Sequence, residues 1–279
     1  MRAHIKRRTE RSIPRSVQPE CNGGCNGGKG EFHSLKTGKI ITYSSQIERD
    51  FLYLLDYDAA VRTFRHKPFT IEIPAPDQRG AKARWEDDTW VRYAPDFTVD
   101  ILPPLPAQPY DPGKHRHRRA SECAGERALL VEVLSSAQAA TPAARQLFDT
   151  LTIWCKERTY GLEFCYLTDR QIRAGCYLEN VKLLRQFAHH IVQPNTRALI
   201  HTLLEANPGG VPIGELALAI DSLALDDATG CILHMAYLHE IAIPLADWML
   251  SSQSLAYSPY QWQSPISANP LAHLLRKEG

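Results

Sequence analysis

At 279 residues, 44% of them hydrophobic and 9% aromatic, the chain exceeds the usual single-domain size and can bury more than one core. Its formal net charge of +1 excludes a uniformly basic coat, so any surface for nucleic acid must be local. No run reaches the roughly 18 apolar residues of a membrane span, and Met1-Arg2-Ala3-His4 does not lead into a signal-peptide core, so the expected location is the cytoplasm, with no membrane contact.

Residues 1–20 set Arg2, Lys6, Arg7, Arg8, Arg11 and Arg15 against Glu10 and Glu20. Such an arm suits phosphate contacts, and it equally describes a disordered, well-solvated terminus. Seven Cys, an odd number scattered along the chain, fit reduced thiols better than a disulfide framework. Cys21 and Cys25 in CNGGCNGG, with His33 nearby, supply three potential zinc ligands where a structural site takes four, and a flexible Gly/Asn turn is the preferred reading. Gly30–Tyr43 then reads as an extended, partly β lead-in that turns at Lys36-Thr37-Gly38-Lys39.

From Ser44 the apolar positions Ile47, Phe51, Leu54 and Leu55 take helical spacing, with Ser44 or Ser45 as N-cap and Glu48 flanking the buried stripe. Val61–Ile73 and Val91–Leu102 read as strands paired antiparallel across the polar stretch Pro74–Asp88. Tyr93–Asp100 (YAPDFTVD) places Asp96 ahead of the alternating Phe97, Val99 and Ile101. An insertion, Pro103–Arg127, has prolines that keep it from packing as a helix and carries the run Lys114-His115-Arg116-His117-Arg118-Arg119. Ala128–Ser135 (ALLVEVLS) is an apolar strand with one carboxylate, Glu132.

Ala137–Arg158 predicts a helix opened by Thr141-Pro142, Gly161–Leu167 a strand and Asn180–Ile191 a helix, with a boundary at Pro194-Asn195. Beyond it come a helix over Arg197–Ala206, a short strand entering a helix over Pro212–Ile220, a helix over Asp226–Leu238 and a strand over Glu240–Leu245. Three short helices followed by a β element outline a winged helix, whose third helix carries no Lys or Arg and is therefore better suited to protein docking than to base readout. The tail from Trp248 holds Tyr257, Tyr260, Trp262 and Leu271–Leu275, and reads either as a partner-binding segment or as a strap over its own domain.

The chemistry lies in the order helix Glu48, strand Asp96, strand Glu132. Strands hold side chains at fixed depth, so two acids on neighbouring strands can converge on one divalent cation. Turn chemistry after Pro95 and a solvated strand face would account for Asp96 and Glu132 without any metal.

GEFHSLKTGKIITYSSQIERDFLYLLDYDAAVRTFRHKPFTIEI, YAPDFTVD, LLVEV and YLENVKLLRQFA together resemble TnsA, the endonuclease subunit of heteromeric bacterial transposases, within the PD-(D/E)XK nuclease superfamily. The resemblance implies an α/β fold, a mixed sheet flanked by helices and followed by a winged-helix-like domain. It divides the chain into a basic arm (1–30), an endonuclease domain (31–193), a winged-helix-like domain (194–256) and a tail (257–279). It also implies Mg²⁺, with Mn²⁺ as a substitute, held by Glu48, Asp96, Glu132 and Val133. DNA at transposon ends, a TnsB-like transposase and a TnsC-like ATPase are the implied partners. Lys114, Arg116, Arg118 and Arg119 would then track the DNA backbone, unless that run is only a solvated loop.

The chain departs from the family where a catalytic Lys should stand two residues after Glu132, because Leu134 occupies that position and Ser135 and Ser136 offer no amine. Three readings stand: Lys67, on the strand beside Asp96, takes over the role; the protein is a catalytic null that keeps an assembly role; or the metal alone supports slow cleavage. The expected function is a metal-dependent nick at a transposon end, catalysed by Glu48, Asp96, Glu132 and Lys67. Its rivals are a non-cutting assembly subunit and, more distantly, a junction- or restriction-type nuclease acting alone.

Overall fold

The computed structural model describes residues 28–74, 90–102, 127–158, 161–259 and 270–271. The N-terminal arm, Cys21 and Cys25, and the basic run with Lys114, Arg116, Arg118 and Arg119 lie outside the described residues. Strands β1 (Gly30–His33) and β2 (Ile40–Tyr43) form an antiparallel hairpin, turned through Gly38 at a φ of 65° that suits glycine. Helix α1 (Gln46–Tyr57) follows, capped by Ser45, whose side chain accepts from the Glu48 N–H. It buries Phe51, Leu52, Leu54 and Leu55.

The expected pair of long strands is present as four shorter ones: β3 (Val61–His66), β4 (Ile71–Pro74), β5 (Trp90–Tyr93) and β6 (Phe97–Ile101). Lys67, at a φ of 45°, and Pro68, which has no N–H to donate, break the first run, while Ala94-Pro95 separates β5 from β6. β4 and β5 peel away as a two-stranded antiparallel ribbon. β3 and β6 stay in the main sheet with β7 (Arg127–Leu134) and β8 (Leu162–Thr168), in the order β3-β6-β7-β8. The first two pairings are antiparallel and the last is parallel, so the sheet is mixed.

Between β7 and β8 the predicted single helix is divided into α2 (Ser136–Ala139), opened by a capping box of Ser135 and Gln138, and α3 (Pro142–Arg158), which restarts at Pro142. Alternation along β7 sorts the layers. Leu129, Val131 and Val133 join Phe97, Val99 and Ile101 against Phe51 and Leu55 of α1, whereas Leu130 faces Leu151 and Cys155 of α3 and Ile71 and Ile73 of β4. The Phe51 and Phe97 rings meet edge to face at 5.1 Å. Leu271, from the tail, is buried in the α1 cluster, so at this residue the tail packs on its own chain.

A short α4 (Asp169–Ile172) leads to α5 (Tyr177–Arg185). α5 is shorter than its predicted span to Ile191, because from Gln186 the N–H groups reach back only three residues. Then come α6 (Pro194–Ala206), opened by Pro194, β9 (Val211–Pro212), α7 (Ile213–Leu218), α8 (Leu225–Tyr237) and β10 (Leu255–Ala256), which pairs with β9. The strand expected over Glu240–Leu245 is absent; Ala242 makes one isolated bridge to Tyr257, and the alternation there records only that Ile241, Ile243 and Leu245 are buried. These helices share a core with Tyr57 of α1 and Val181 and Leu184 of α5. Buried Asn180 ties the loop beyond α8 to α5: its Nδ2 donates to the carbonyls of Leu245 and Trp248, and its Oδ1 accepts from the Leu250 N–H. Among the described residues no helix is long and apolar enough to cross a membrane, and Cys155, Cys165, Cys176 and Cys231 are free thiols.

Candidate active site

The register of β6 and β7 pairs Phe97 with Val131, which sets Asp96 opposite Glu132 at one end of the main sheet. Two hydrogen bonds stitch them together: the Asp96 N–H donates to Glu132 Oε1 at 3.1 Å, and the Val133 N–H donates to Asp96 Oδ2 at 3.0 Å. The two carboxyls are also hydrogen-bonded to each other, and the Tyr93 hydroxyl donates to Glu132. Burial raises the Asp96 carboxyl, and with the charge of Glu48 it outweighs the Val133 hydrogen bond to bring it to about 6. Burial and then the Asp96 charge raise Glu132 well above the carboxylate range. Burial, together with the charge and hydrogen bond of Glu132, pushes the Tyr93 phenol up as well. Two negative charges this close and this buried are costly, which favours the protonated form of one of the pair.

Glu48 approaches from the first turn of α1, buried to 6% exposure. Its Oε2 accepts from the Ser44 N–H at 2.8 Å and faces His66 Nε2 at 3.2 Å, while Oε1 accepts from the Ser44 hydroxyl at 2.7 Å. Burial alone would raise this carboxyl, but the hydrogen bonds from His66 and Ser44 and the charge of Lys67 hold it down at about 2. Ser45 caps the helix, so Ser44 is left to serve Glu48.

Lys67 stands at the turn after β3. Its N–H donates to the Asp96 carbonyl at 2.7 Å, which fixes the turn beside the acid pair. Its ammonium lies 3.3 Å from the Ser44 hydroxyl, and its positive charge favours ionisation of both Glu48 and Asp96. Leu134 ends β7, half-buried and in register with Thr168 of β8.

The fold thus joins Asp96 to Glu132 and Val133, holds Glu48 separately on Ser44 and His66, and sets Lys67 next to both groups. As they stand, no three His, Cys, Asp or Glu side chains among the described residues are disposed to hold a metal ion. Donor type and charge still suit a hard divalent cation: the acids offer only oxygens, and among the described residues no Arg or Lys is hydrogen-bonded to Asp96 or Glu132. Two contributors were not legible as such, His66 and Tyr93. Their only signals are position, one residue before Lys67 and three before Asp96.

Set against known proteins, the chain matches no family model, and no curated protein matches it either.

Proposed function

We propose that this chain is a TnsA-like, metal-dependent DNA endonuclease that nicks a transposon end, built on a PD-(D/E)XK core with a winged-helix-like C-terminal part. The observation that carries the reading is the Asp96–Glu132 pair on adjacent strands at the end of a mixed sheet, with Glu48 of α1 and Lys67 beside it. A structural pair of acids would be neutralised by fixed cations; this pair is pressed together and left able to take one. Asp96 and Glu132, joined by Glu48 and Val133, are the residues that would hold Mg²⁺ or Mn²⁺. Such an ion, when bound, polarises the phosphoryl oxygen and makes water a better nucleophile. The chain's own groups do the rest. His66 and Ser44 keep Glu48 ionised and oriented, Tyr93 holds Glu132, and the Lys67 ammonium offsets charge as the water oxygen bonds to phosphorus and the bond to the leaving sugar oxygen breaks.

Lys67 therefore supports relocation of the family's lysine. In the C-terminal part, helices α6–α8 with the β9–β10 ribbon support a winged-helix-like reading. α8 has no Lys or Arg, which argues against reading bases and leaves this part of the chain to contacts with a transposase or an ATPase.

A second reading, an assembly subunit that binds the same partners without cutting, is favoured by Leu134 at the position of the family's lysine. Strand-resolved cleavage of a transposon-end duplex, with Mg²⁺ or Mn²⁺ and the partner transposase, decides between them. The nuclease reading expects Asp96→Ala to abolish cutting and Lys67→Ala to slow it by about 10²–10³. Cutting that appears only in Leu134→Lys would make the native chain the assembly subunit.

A further inference from the structure

Next to the residues that hold Glu48 the surface sinks into an open groove of about 620 Å³, whose lining includes Lys29, Glu31 and Tyr43 of the hairpin region together with Ser44, His66 and Lys67. The groove borders the candidate site, because Ser44 and His66, which line it, are the residues hydrogen-bonded to Glu48.

Its wall is shaped by a glycine. Gly30 pairs directly across the hairpin from Tyr43, and a Cβ at Gly30 would stand 2.4 Å from the Tyr43 hydroxyl and 2.7 Å from its ring. The Tyr43 ring can therefore lie against the hairpin backbone, packed partly on the α1 core and partly in the groove wall. The lining combines an aromatic ring with two exposed cations, Lys29 and Lys67, and one opposing carboxylate, Glu31.

An aromatic platform flanked by cations is the pattern that receives unpaired nucleotides, since a base inside a duplex has no free face to stack. We infer that this groove takes unpaired nucleotides of the DNA end beside the cut, with Lys29 and Lys67 on backbone phosphates and Tyr43 as the stacking platform. The inference rests on the nuclease reading, and it adds that the preferred substrate is frayed or overhanging at the site of the nick. Lys67 would then serve twice, on the strand in the groove and on the phosphate being cut.

The test measures fluorescence anisotropy of full-length protein, with Ca²⁺ replacing Mg²⁺, on two labelled duplexes: one blunt, one with a short unpaired overhang. The overhang should bind more tightly, and Tyr43→Ala should weaken overhang binding by about tenfold while leaving the blunt duplex unchanged. Tyr43→Phe keeps the ring and should keep the preference, which separates lost stacking from a damaged fold. Lys29→Ala should lower the salt slope of overhang binding by about 0.7, and Glu31→Gln should tighten it. Equal binding of both duplexes, no binding of either, or equal weakening of both by Tyr43→Ala would overturn the inference. A parallel Mg²⁺ cleavage assay keeps the two proposals apart. An overhang preference without cutting overturns the nuclease reading alone, whereas cutting without the preference overturns the groove.

Discussion

On the side of helix α1 that faces α4 and α5, Asp50 and Asp56 are surrounded by donors. Asp50 meets Arg173 at 2.8 Å, Lys182 at 3.1 Å and Arg49 at 3.2 Å. Asp56 pairs with Arg185 and accepts from the Ser34 hydroxyl at 2.6 Å and the N–H groups of Leu35 and Lys36 at 3.1 Å. At the sheet end the treatment is opposite: Asp96 and Glu132 are turned toward each other, and the Lys67 ammonium acts on the Asp96 carboxyl through its field. Both sets are carboxyls around the same α1 and main-sheet core, so the contrast is one of partners. Fixed cations make Asp50 and Asp56 into anchors, whereas Asp96 and Glu132 are partnered by each other, which is the feature the proposed metal site rests on.

Stability should divide along that line. Asp56→Ala removes the carboxylate partner of Arg185 and of three further donors, so it should cost about 3–5 kcal/mol and lower Tm by roughly 10 °C. Asp96→Asn removes half of a repulsive pair and should leave Tm at pH 7.5 unchanged or higher. Thermal melts of the two variants check this directly. A loss in Asp96→Asn as large as in Asp56→Ala would erase the distinction between the anchors and the Asp96–Glu132 pair.

The same contrast appears in pH dependence, with opposite signs. Asp96 is raised from 3.8 to about 6, so the folded protein holds a proton there that the unfolded chain releases. Its contribution is most favourable below the unfolded value, is lost as pH rises through about 6, and remains lost above. Glu48 is lowered from 4.5 to about 2, so its contribution is present above the unfolded value and disappears as pH falls toward 2. Divalent cation should therefore stabilise the fold at pH 7.5 by on the order of 2 kcal/mol, read as a Tm higher by roughly 5 °C, and should do nothing at pH 4 or in Asp96→Asn. Calorimetric scans with and without Mg²⁺ at both pH values would reveal it. An equal rise at pH 4 would mean that the ion binds elsewhere.

The placement of Glu48, Asp96 and Glu132 was more legible in the sequence than that of the anchors. Glu48 flanking a helical stripe, Asp96 after a proline and Glu132 inside an apolar strand are local patterns, and local patterns survive in one dimension. The anchoring of Asp50 and Asp56 does not: their partners Arg173 and Arg185 lie 123 and 129 residues away, beyond the reach of any periodicity. The four-strand division was half visible. Pro68 and Pro95 announce lost donors, but nothing local says that β4 and β5 leave the sheet while β3 and β6 remain. Glu240–Leu245 failed for a related reason, since alternation reports which side chains are buried and not whether the backbone has a neighbour to pair with.

The smallest expected effect concerns Lys67 itself, a non-glycine residue at a φ of 45°. A side chain in the left-handed region costs roughly 1–2 kcal/mol, partly offset here because glycine would loosen the unfolded chain. Lys67→Ala and Lys67→Gly both remove the ammonium and should lose cleavage equally, yet the glycine variant should be more stable than the alanine variant by about 1 kcal/mol, read as a Tm higher by a few degrees. That result would show that the turn keeps its strain for the sake of the amine it carries. Equal Tm values would instead assign the turn to Pro68 and to the hydrogen bond from the Lys67 N–H to the Asp96 carbonyl, both of which survive either substitution.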